Sequence, residues 1–210
     1  MDGQLDFFGG VSERSLKQAA SARDDVAHRW YFTLVPPPAV AQNIERRVVM
    51  LTRPYGARSP IRAGRLHVSL NGIWRGRDDI EPALIDDALE VGNAVGRPGF
   101  DIVFDRLQTF AGNSRSNTGG RSIVPTVLTC SNGARDLQAL YADIRRGMQR
   151  LGMPMAPKAF SPHLTIWYGP ERVPDLLLKQ PFRWPVRKFW LVHTIKGQKR
   201  PDYVGEWSLG

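Results

Sequence analysis

Two short segments, far apart in the chain, share one pattern that limits how each can fold. Each places a histidine, an apolar residue and a hydroxyl residue in succession between apolar neighbours: Leu66-His67-Val68-Ser69-Leu70 and Pro162-His163-Leu164-Thr165-Ile166. Such alternation is typical of a half-buried β-strand, in which residues two apart lie on the same face. Each segment is therefore predicted to be a strand that presents an imidazole beside a hydroxyl and packs its other face into the core.

The rest of the chain alternates between strand and helix patterns. Apolar and β-branched runs predict strands over 29–35, 65–74, 99–110, 122–130, 160–168, 182–195 and 203–209. Helical spacing predicts helices over 39–52, over the stripe Ile80–Val95 with Asp78 and Asp79 as its cap, and over 137–151 with Gly152 at its end. Asn71-Gly72 predicts a bend or bulge in the second strand.

This order of elements predicts an α+β fold built on antiparallel sheet. The last two strands, 182–195 and 203–209, are expected to close the fold as a hairpin around the Lys196–Pro201 turn. Residues 1–27 lack a strong period and are predicted to form an N-terminal tail. Residues 28–210 are predicted to form one domain.

Composition narrows the location and the kind of site. Cys130 is the only cysteine, which excludes disulfides and any cysteine-based metal site. No stretch approaches the roughly 20 apolar residues of a membrane span, and Met1–Gly10 lacks the pattern of a signal peptide. We therefore expect a monomer in a reducing cytosol, with no membrane contact.

The charge of the chain predicts a polyanionic partner. The formal net charge is +9 and the sequence pI is about 10.2, both high for a soluble enzyme. Basic residues cluster before the first motif and near the C-terminus: Arg46, Arg47, Arg53, Arg58, Arg62, Arg65, Lys188, Lys196, Lys199 and Arg200. A well-solvated basic face is the alternative interpretation of either cluster.

The chain has four histidines, and two of them lie in the repeated pattern. Displacement at phosphorus requires one group to accept a proton from the nucleophile and another to give one to the leaving oxygen. Histidine can do either near neutral pH, and hydroxyls can hold the non-bridging oxygens. His67 and His163 are thus predicted to be catalytic without a metal or cofactor. His28 and His193 lack a hydroxyl partner on the same face and are predicted to be structural.

Four aromatic residues flank the two motif strands: Trp74, Phe160, Trp167 and Tyr168. Each can stack on a nucleobase, and packing in the core is the alternative for each. Phe160 and Trp167 are retained as candidate substrate contacts.

These features together resemble the 2H phosphoesterases, in particular the bacterial 2′-5′ RNA ligase (LigT-like) group. The resemblance extends from about residue 29 to the end of the chain and rests on four stretches: 29–35, 66–70, 161–169 and the closing 191–209. It implies two pseudo-symmetric lobes of antiparallel sheet, with flanking helices, around a central cleft across which the motifs face each other. It also implies hydrolysis of 2′,3′-cyclic phosphates or formation of 2′-5′ linkages, on RNA ends or on nucleotides.

The resemblance assigns acid and base roles to His67 and His163, in either order, and phosphate binding to Ser69 and Thr165. Some family members carry an arginine shortly after the second motif, where this chain has Trp167-Tyr168-Gly169. The cation that binds phosphate must then come from elsewhere, and the candidates are Arg62, Arg65, Lys158 and Lys196. A non-catalytic module that binds RNA ends in the same basic cleft is the alternative function.

The N-terminal stretch Gln4-Leu5-Asp6-Phe7-Phe8 resembles a peptide that docks on the bacterial sliding clamp. A tail that packs its own aromatic residues on the domain is the alternative interpretation.

Overall fold

The structure is a computed structural model that describes residues 27–57, 59–110, 114–115, 122–131, 134–155 and 160–210. The helices are α1 (Pro38–Thr52), α2 (Pro82–Asn93) and α3 (Arg135–Arg150), with short 3₁₀ turns at Arg53–Tyr55 and Ala63–Arg65. The strands are β1 (His28–Leu34), β2 (Val68–Gly76), β3 (Phe100–Thr109), β4 (Ser114–Arg115), β5 (Ser122–Thr129), β6 (Leu164–Gly169), β7 (Leu176–Val186), β8 (Lys188–Ile195) and β9 (Asp202–Ser208). In the described part of the chain, no helix has both the length and the apolar character to cross a membrane.

The strands form two antiparallel sheets. The first sheet has the order β2–β1–β8–β9. The second has the order β6–β5–β3–β7, and the short β4 pairs with the start of β5. Each sheet thus contains one of the two histidine motifs at the start of an edge strand, β2 in the first and β6 in the second. The predicted α+β class with antiparallel sheets is confirmed.

The chain passes from one sheet to the other at a point that the sequence pattern did not predict. The prediction of one strand over 182–195 is wrong, because β7 ends at Val186 and pairs with β3, whereas β8 begins at Lys188 and pairs with β1 and β9. Only Arg187 separates them, and its guanidinium donates to the carbonyls of Phe100 and Val186 at 3.0 Å each. A one-residue connection without Gly or Pro leaves no turn signal in the sequence.

The helices follow the predicted apolar stripes, with one error at a cap. Asp78 and Asp79 do not cap α2, which begins at Pro82 after Glu81. Instead, Asp79 Oδ1 accepts hydrogen bonds from Ile80 N–H and Trp30 Nε1–H, each at 2.8 Å. The carboxylate is therefore held towards β1, where a buried indole donor needs an acceptor.

Both motif strands carry a bulge. The β1–β2 register shifts on both sides of the Tyr31–Gly72 pair, between Trp30 and Tyr31 and between Tyr31 and Thr33, where Asn71-Gly72 predicts a bend or bulge. The β5–β6 register shifts opposite Ile166, so that Ile166 and Trp167 are both buried and Tyr168 is exposed. The extra residue reverses the alternation beyond it.

Candidate active site

The two motif histidines lie in the same cleft. His67 directly precedes β2 of the first sheet, and His163 directly precedes β6 of the second. Both line a cleft of about 1250 Å³ together with Ser69 and Thr165. The structure thus brings together four side chains that the sequence separates by almost 100 residues, and it does so because each motif opens the edge strand of its own sheet.

The two histidines make equivalent hydrogen bonds. His67 Nδ1 lies 2.9 Å from the carbonyl oxygen of Arg65, and His163 Nδ1 lies 2.7 Å from that of Ser161. A carbonyl oxygen only accepts, so Nδ1 carries the proton in both rings. In each neutral imidazole Nε2 is then the nitrogen that can accept a proton. The same contact, two residues back along the chain, fixes the tautomer and the ring orientation in both halves.

An aromatic ring lies beside each imidazole. The ring centroids of Tyr31 and His67 are 5.9 Å apart, and those of Phe110 and His163 are 5.0 Å apart. Both contacts are tilted, which is a favourable arrangement for aromatic rings. Tyr31 lies in β1 and Phe110 directly follows β3, so each histidine is contacted by a ring from a strand of its own sheet or from the residue just after one.

The environment of His67 favours its neutral form. Burial lowers the pKa of the imidazole below its ordinary value of 6.5, and the positive charges of His163 and Arg65 lower it further. The hydrogen bond to the Arg65 carbonyl opposes these effects without cancelling them. His67 is therefore suited to accept a proton near neutral pH.

The cleft is strongly basic. Among the described residues that line it, six carry a cationic side chain and none carries a carboxylate; the cations are Arg29, Arg62, Arg65, Lys196, Lys199 and Arg200. Positive charge around a concave site attracts and holds phosphate. Sequence reasoning did not select Arg29, although its place on the same face of β1 as Tyr31 and Thr33 was the available signal.

The four predicted cations differ in their surroundings. Arg65 and Lys196 line the cleft and are exposed. Arg62 also lines it, but its guanidinium donates to Glu45 Oε1 at 3.0 Å, and Glu45 Oε2 accepts from Ala63 N–H at 2.8 Å. Arg62 is thus paired on its own side of the cleft. Lys158 lies outside the described residues, as does the Gln4–Phe8 segment.

One backbone contact ties the stretch 59–66, the basic loop that carries Arg62 and Arg65, to the opposite motif. Ile61 N–H donates to the carbonyl oxygen of Ile166 at 2.8 Å. The 3₁₀ turn Ala63–Arg65 follows directly and leads into His67. The loop that carries Arg62 and Arg65 is therefore positioned by β6 of the second sheet as well as by Glu45 of α1.

The aromatic candidates divide between core and cleft. The prediction that Trp167 contacts substrate is wrong: its side chain is 4% exposed and packs in the core. Tyr168 is 55% exposed and lines the cleft instead, because the bulge at Ile166 turns it outwards. Phe160 stacks on Tyr141 with centroids 4.3 Å apart, and both line a side cavity of about 330 Å³ next to His163.

The remaining two histidines lie elsewhere. Thr194 and Arg29 line the cleft, so their neighbours His193 and His28 point to the opposite face of the first sheet. There the two imidazoles hydrogen-bond to each other. The expectation that neither belongs to the motif site is consistent with this placement.

A sequence profile of the 2′-5′ RNA ligase superfamily matches residues 36–198, which include both motifs. The chain belongs to this superfamily. The membership confirms the resemblance to the LigT-like 2H phosphoesterases. No match was found among curated proteins.

Solved structures share the fold of this superfamily member. E. coli LigT in complex with 3′-AMP superposes with a TM-score of 0.68 at 19% sequence identity, over 87% of this chain and 98% of LigT. A solved phosphoesterase matches with a TM-score of 0.68 at 20% identity, over 87% and 98% of the two chains. TT0787 of Thermus thermophilus matches with a TM-score of 0.63 at 22% identity, over 86% and 97%. At these identities the likeness establishes the fold.

Proposed function

We propose that this protein is a metal-independent phosphodiesterase that opens 2′,3′-cyclic phosphates at RNA ends or in nucleotides. The observation that carries the proposal is the equivalent pair of histidines in one basic cleft, each with Nδ1 on a backbone carbonyl two residues back. Such a pair supplies one proton acceptor and one proton donor on either side of a bound phosphorus. Superfamily membership supports the same chemistry.

His67 is proposed as the general base. Its lowered pKa keeps it neutral, so Nε2 can take a proton from water as the water oxygen attacks phosphorus. His163, in its protonated form, then gives a proton to the ribose oxygen that leaves. One P–O bond forms, one breaks, and the product is a nucleoside 2′- or 3′-monophosphate. Formation of a 2′-5′ linkage uses the same two groups, with a ribose hydroxyl in place of water.

Ser69 and Thr165 are proposed to hold the non-bridging oxygens. Each lies two residues after its histidine and lines the cleft beside it. Hydroxyl donors placed where charge develops stabilise the transition state more than the ground state. Arg65 and Lys196 are the proposed phosphate cations among the original candidates, and Arg29 joins them because it lines the same cleft.

The cleft has aromatic surfaces suited to nucleobases. Tyr31, Tyr168 and Tyr203 line it around the histidines. Bases splayed from single-stranded RNA stack on such rings with little dependence on sequence. The proposed partners are therefore RNA ends or nucleotide cyclic phosphates. Docking on a sliding clamp through Gln4–Phe8, a monomeric state and a cytosolic location stay predictions.

The competing function is a non-catalytic module that binds RNA ends. The six cations and three tyrosines of the cleft suit it equally well. The histidine geometry favours catalysis, since binding alone does not require two imidazoles with the same fixed tautomer. The two functions differ in one respect that is simple to measure, namely turnover.

The test is incubation of the purified protein, in EDTA, with the four nucleoside 2′,3′-cyclic monophosphates and with an RNA oligonucleotide that ends in a cyclic phosphate. We expect conversion to one monophosphate isomer, identified by chromatography, and the isomer reports which P–O bond breaks. Tight binding of these ligands without any product would overturn the proposal in favour of the binding module.

A further inference from the structure

A second histidine cluster lies on the rear face of the first sheet, away from the cleft. His28 begins β1, His193 lies near the end of β8, and Asp79 lies in the connection between β2 and α2. His28 Nδ1 is 2.9 Å from His193 Nε2. Asp79 Oδ1 is 3.5 Å from the first nitrogen and 3.7 Å from the second. Three potential metal ligands from three separate segments thus meet at one point.

The three atoms fit the coordination of a zinc ion. For metal–ligand bonds of 2.0–2.1 Å, two ligands of a tetrahedral ion are about 3.3 Å apart. The three observed distances between ligand atoms, 2.9, 3.5 and 3.7 Å, are close to this value. A point about 2.0 Å from all three atoms lies between them. Adjacent ligands of an octahedral ion with these bond lengths would be about 3.0 Å apart. Two of the three observed distances are longer than that.

The surrounding residues hold the ligands in place. Trp30 Nε1–H and Ile80 N–H donate to Asp79 and fix its carboxylate. Trp30 also stacks on His193, with centroids 4.3 Å apart. Such outer contacts are what orients the ligands of a metal site.

A carboxylate lies on the far side of His193. Asp202 Oδ2 is 3.9 Å from His193 Nδ1, the nitrogen that does not face Asp79. A negative charge there favours a proton on Nδ1 and so leaves the lone pair on Nε2, the nitrogen that faces His28 and Asp79. His193 is buried, whereas the Asp79 side chain is 51% exposed, so water can reach the cluster from the Asp79 side.

We propose that His28, His193 and Asp79 form a zinc-binding site, with water as the fourth ligand. Two imidazoles and one carboxylate suit Zn²⁺, whereas Mg²⁺ and Ca²⁺ prefer oxygen ligands alone. The ion would join β1, β8 and the β2–α2 connection, and so stabilise the first sheet. It would lie on the opposite face of that sheet from the motif histidines, and the chemistry of the cleft does not depend on it.

The test measures zinc binding to three purified proteins freed of metal: wild type, Asp79→Asn and the double variant His67→Ala/His163→Ala. The double variant is the matched control, because it removes the other pair of histidines and keeps the cluster. Zn²⁺ binding is followed by competition with a coloured chelator and by the thermal midpoint. Co²⁺ spectra report the coordination geometry.

We expect wild type and the double variant to bind one Zn²⁺ per chain, with a tetrahedral Co²⁺ spectrum and a raised thermal midpoint. Asp79→Asn should bind Zn²⁺ at least about tenfold more weakly. His28→Ala is the second ligand variant if circular dichroism shows that Asp79→Asn does not fold. The proposal is overturned if wild type binds no Zn²⁺, or if binding survives Asp79→Asn and is lost in the double variant.

Discussion

The molecule has two pairs of histidines, one in the cleft between the sheets and one on the rear face of the first sheet, and their surroundings differ. In the cleft, His67 and His163 each donate Nδ1–H to a backbone carbonyl and are kept apart from each other by their positions in different sheets. On the rear face, His28 and His193 hydrogen-bond to each other beside Asp79. The proposed roles of histidine differ accordingly, with proton transfer in the cleft and metal binding on the rear face.

The charge around the two pairs of histidines also differs. The cleft is lined by six cations and, among its described residues, by no carboxylate. The rear cluster has Asp79 within it and Asp202 beside it. An anionic substrate is therefore attracted to the first and a cation to the second. The face of the strand, and the charge around it, decide what a histidine can do.

The largest expected effect concerns β6, where adjacent aromatic residues lie on opposite sides. Trp167→Ala should lower the free energy of unfolding by about 3–5 kcal/mol, because it leaves a cavity in the core. Tyr168→Ala is the matched control and should change it by no more than about 0.5 kcal/mol, because Tyr168 is exposed. Urea denaturation measures both. Equal destabilisation by the two variants would show that the bulge does not separate core from cleft.

The hydroxyls are the next test of the cleft face. Thr165→Ala and Ser69→Ala should each lower kcat/KM by about 10²-fold, because each removes a donor to the phosphate. Thr165→Ser and Ser69→Thr, which keep the hydroxyl, should retain most of the activity. The assignment is wrong if the alanine and hydroxyl variants at one position have equal activities.

Two arginines of the basic loop allow a smaller, paired comparison. Arg65→Ala should lower kcat/KM on an RNA substrate by about tenfold. It should also make the slope of log kcat/KM against log salt concentration less steep by about one. Arg62→Ala should have an effect below about threefold, because Glu45 already pairs with Arg62. Kinetics at several salt concentrations measure both. A larger effect of Arg62→Ala than of Arg65→Ala would show that Arg62, and not Arg65, is the cation that binds phosphate.

The smallest effect is on the pH dependence. A general base acts in its neutral form, and the pKa of His67 is lowered, so in its proposed role more of it is active at any given acidic pH. The midpoint of the acid limb of the kcat/KM profile should therefore lie below pH 6.5, the ordinary pKa of histidine. An acid limb above pH 6.5 would contradict the assignment of His67 as the base.

Local sequence patterns predicted what depends on local structure. The alternation around His67 and His163 was enough to place each imidazole beside its hydroxyl, and the Asn71-Gly72 pair located a bulge. The bulge at Ile166 has no Gly or Pro to mark it, so the sequence could not show that Trp167 is buried and Tyr168 exposed, and Trp167 was the one retained as a substrate contact. The passage between sheets at Arg187 has no turn signal for the same reason.

Contacts between distant segments could not be predicted from local sequence patterns. His28 and His193 are 165 positions apart, and their hydrogen bond depends on the pairing of β1 with β8. Asp79 resembled a helix cap because acidic residues before Pro82 are typical of one. Its actual partner, Trp30, became apparent only when β1 and the β2–α2 connection were placed in three dimensions.

The most direct test of the central claim is kcat/KM for a nucleoside 2′,3′-cyclic monophosphate, in EDTA, with wild type, His67→Ala and His163→Ala. Circular dichroism checks that each variant is folded. Each substitution should lower kcat/KM by at least about 10³-fold, because each removes one of the two proton-transfer groups. A folded variant of either histidine that retains near wild-type activity would contradict the account.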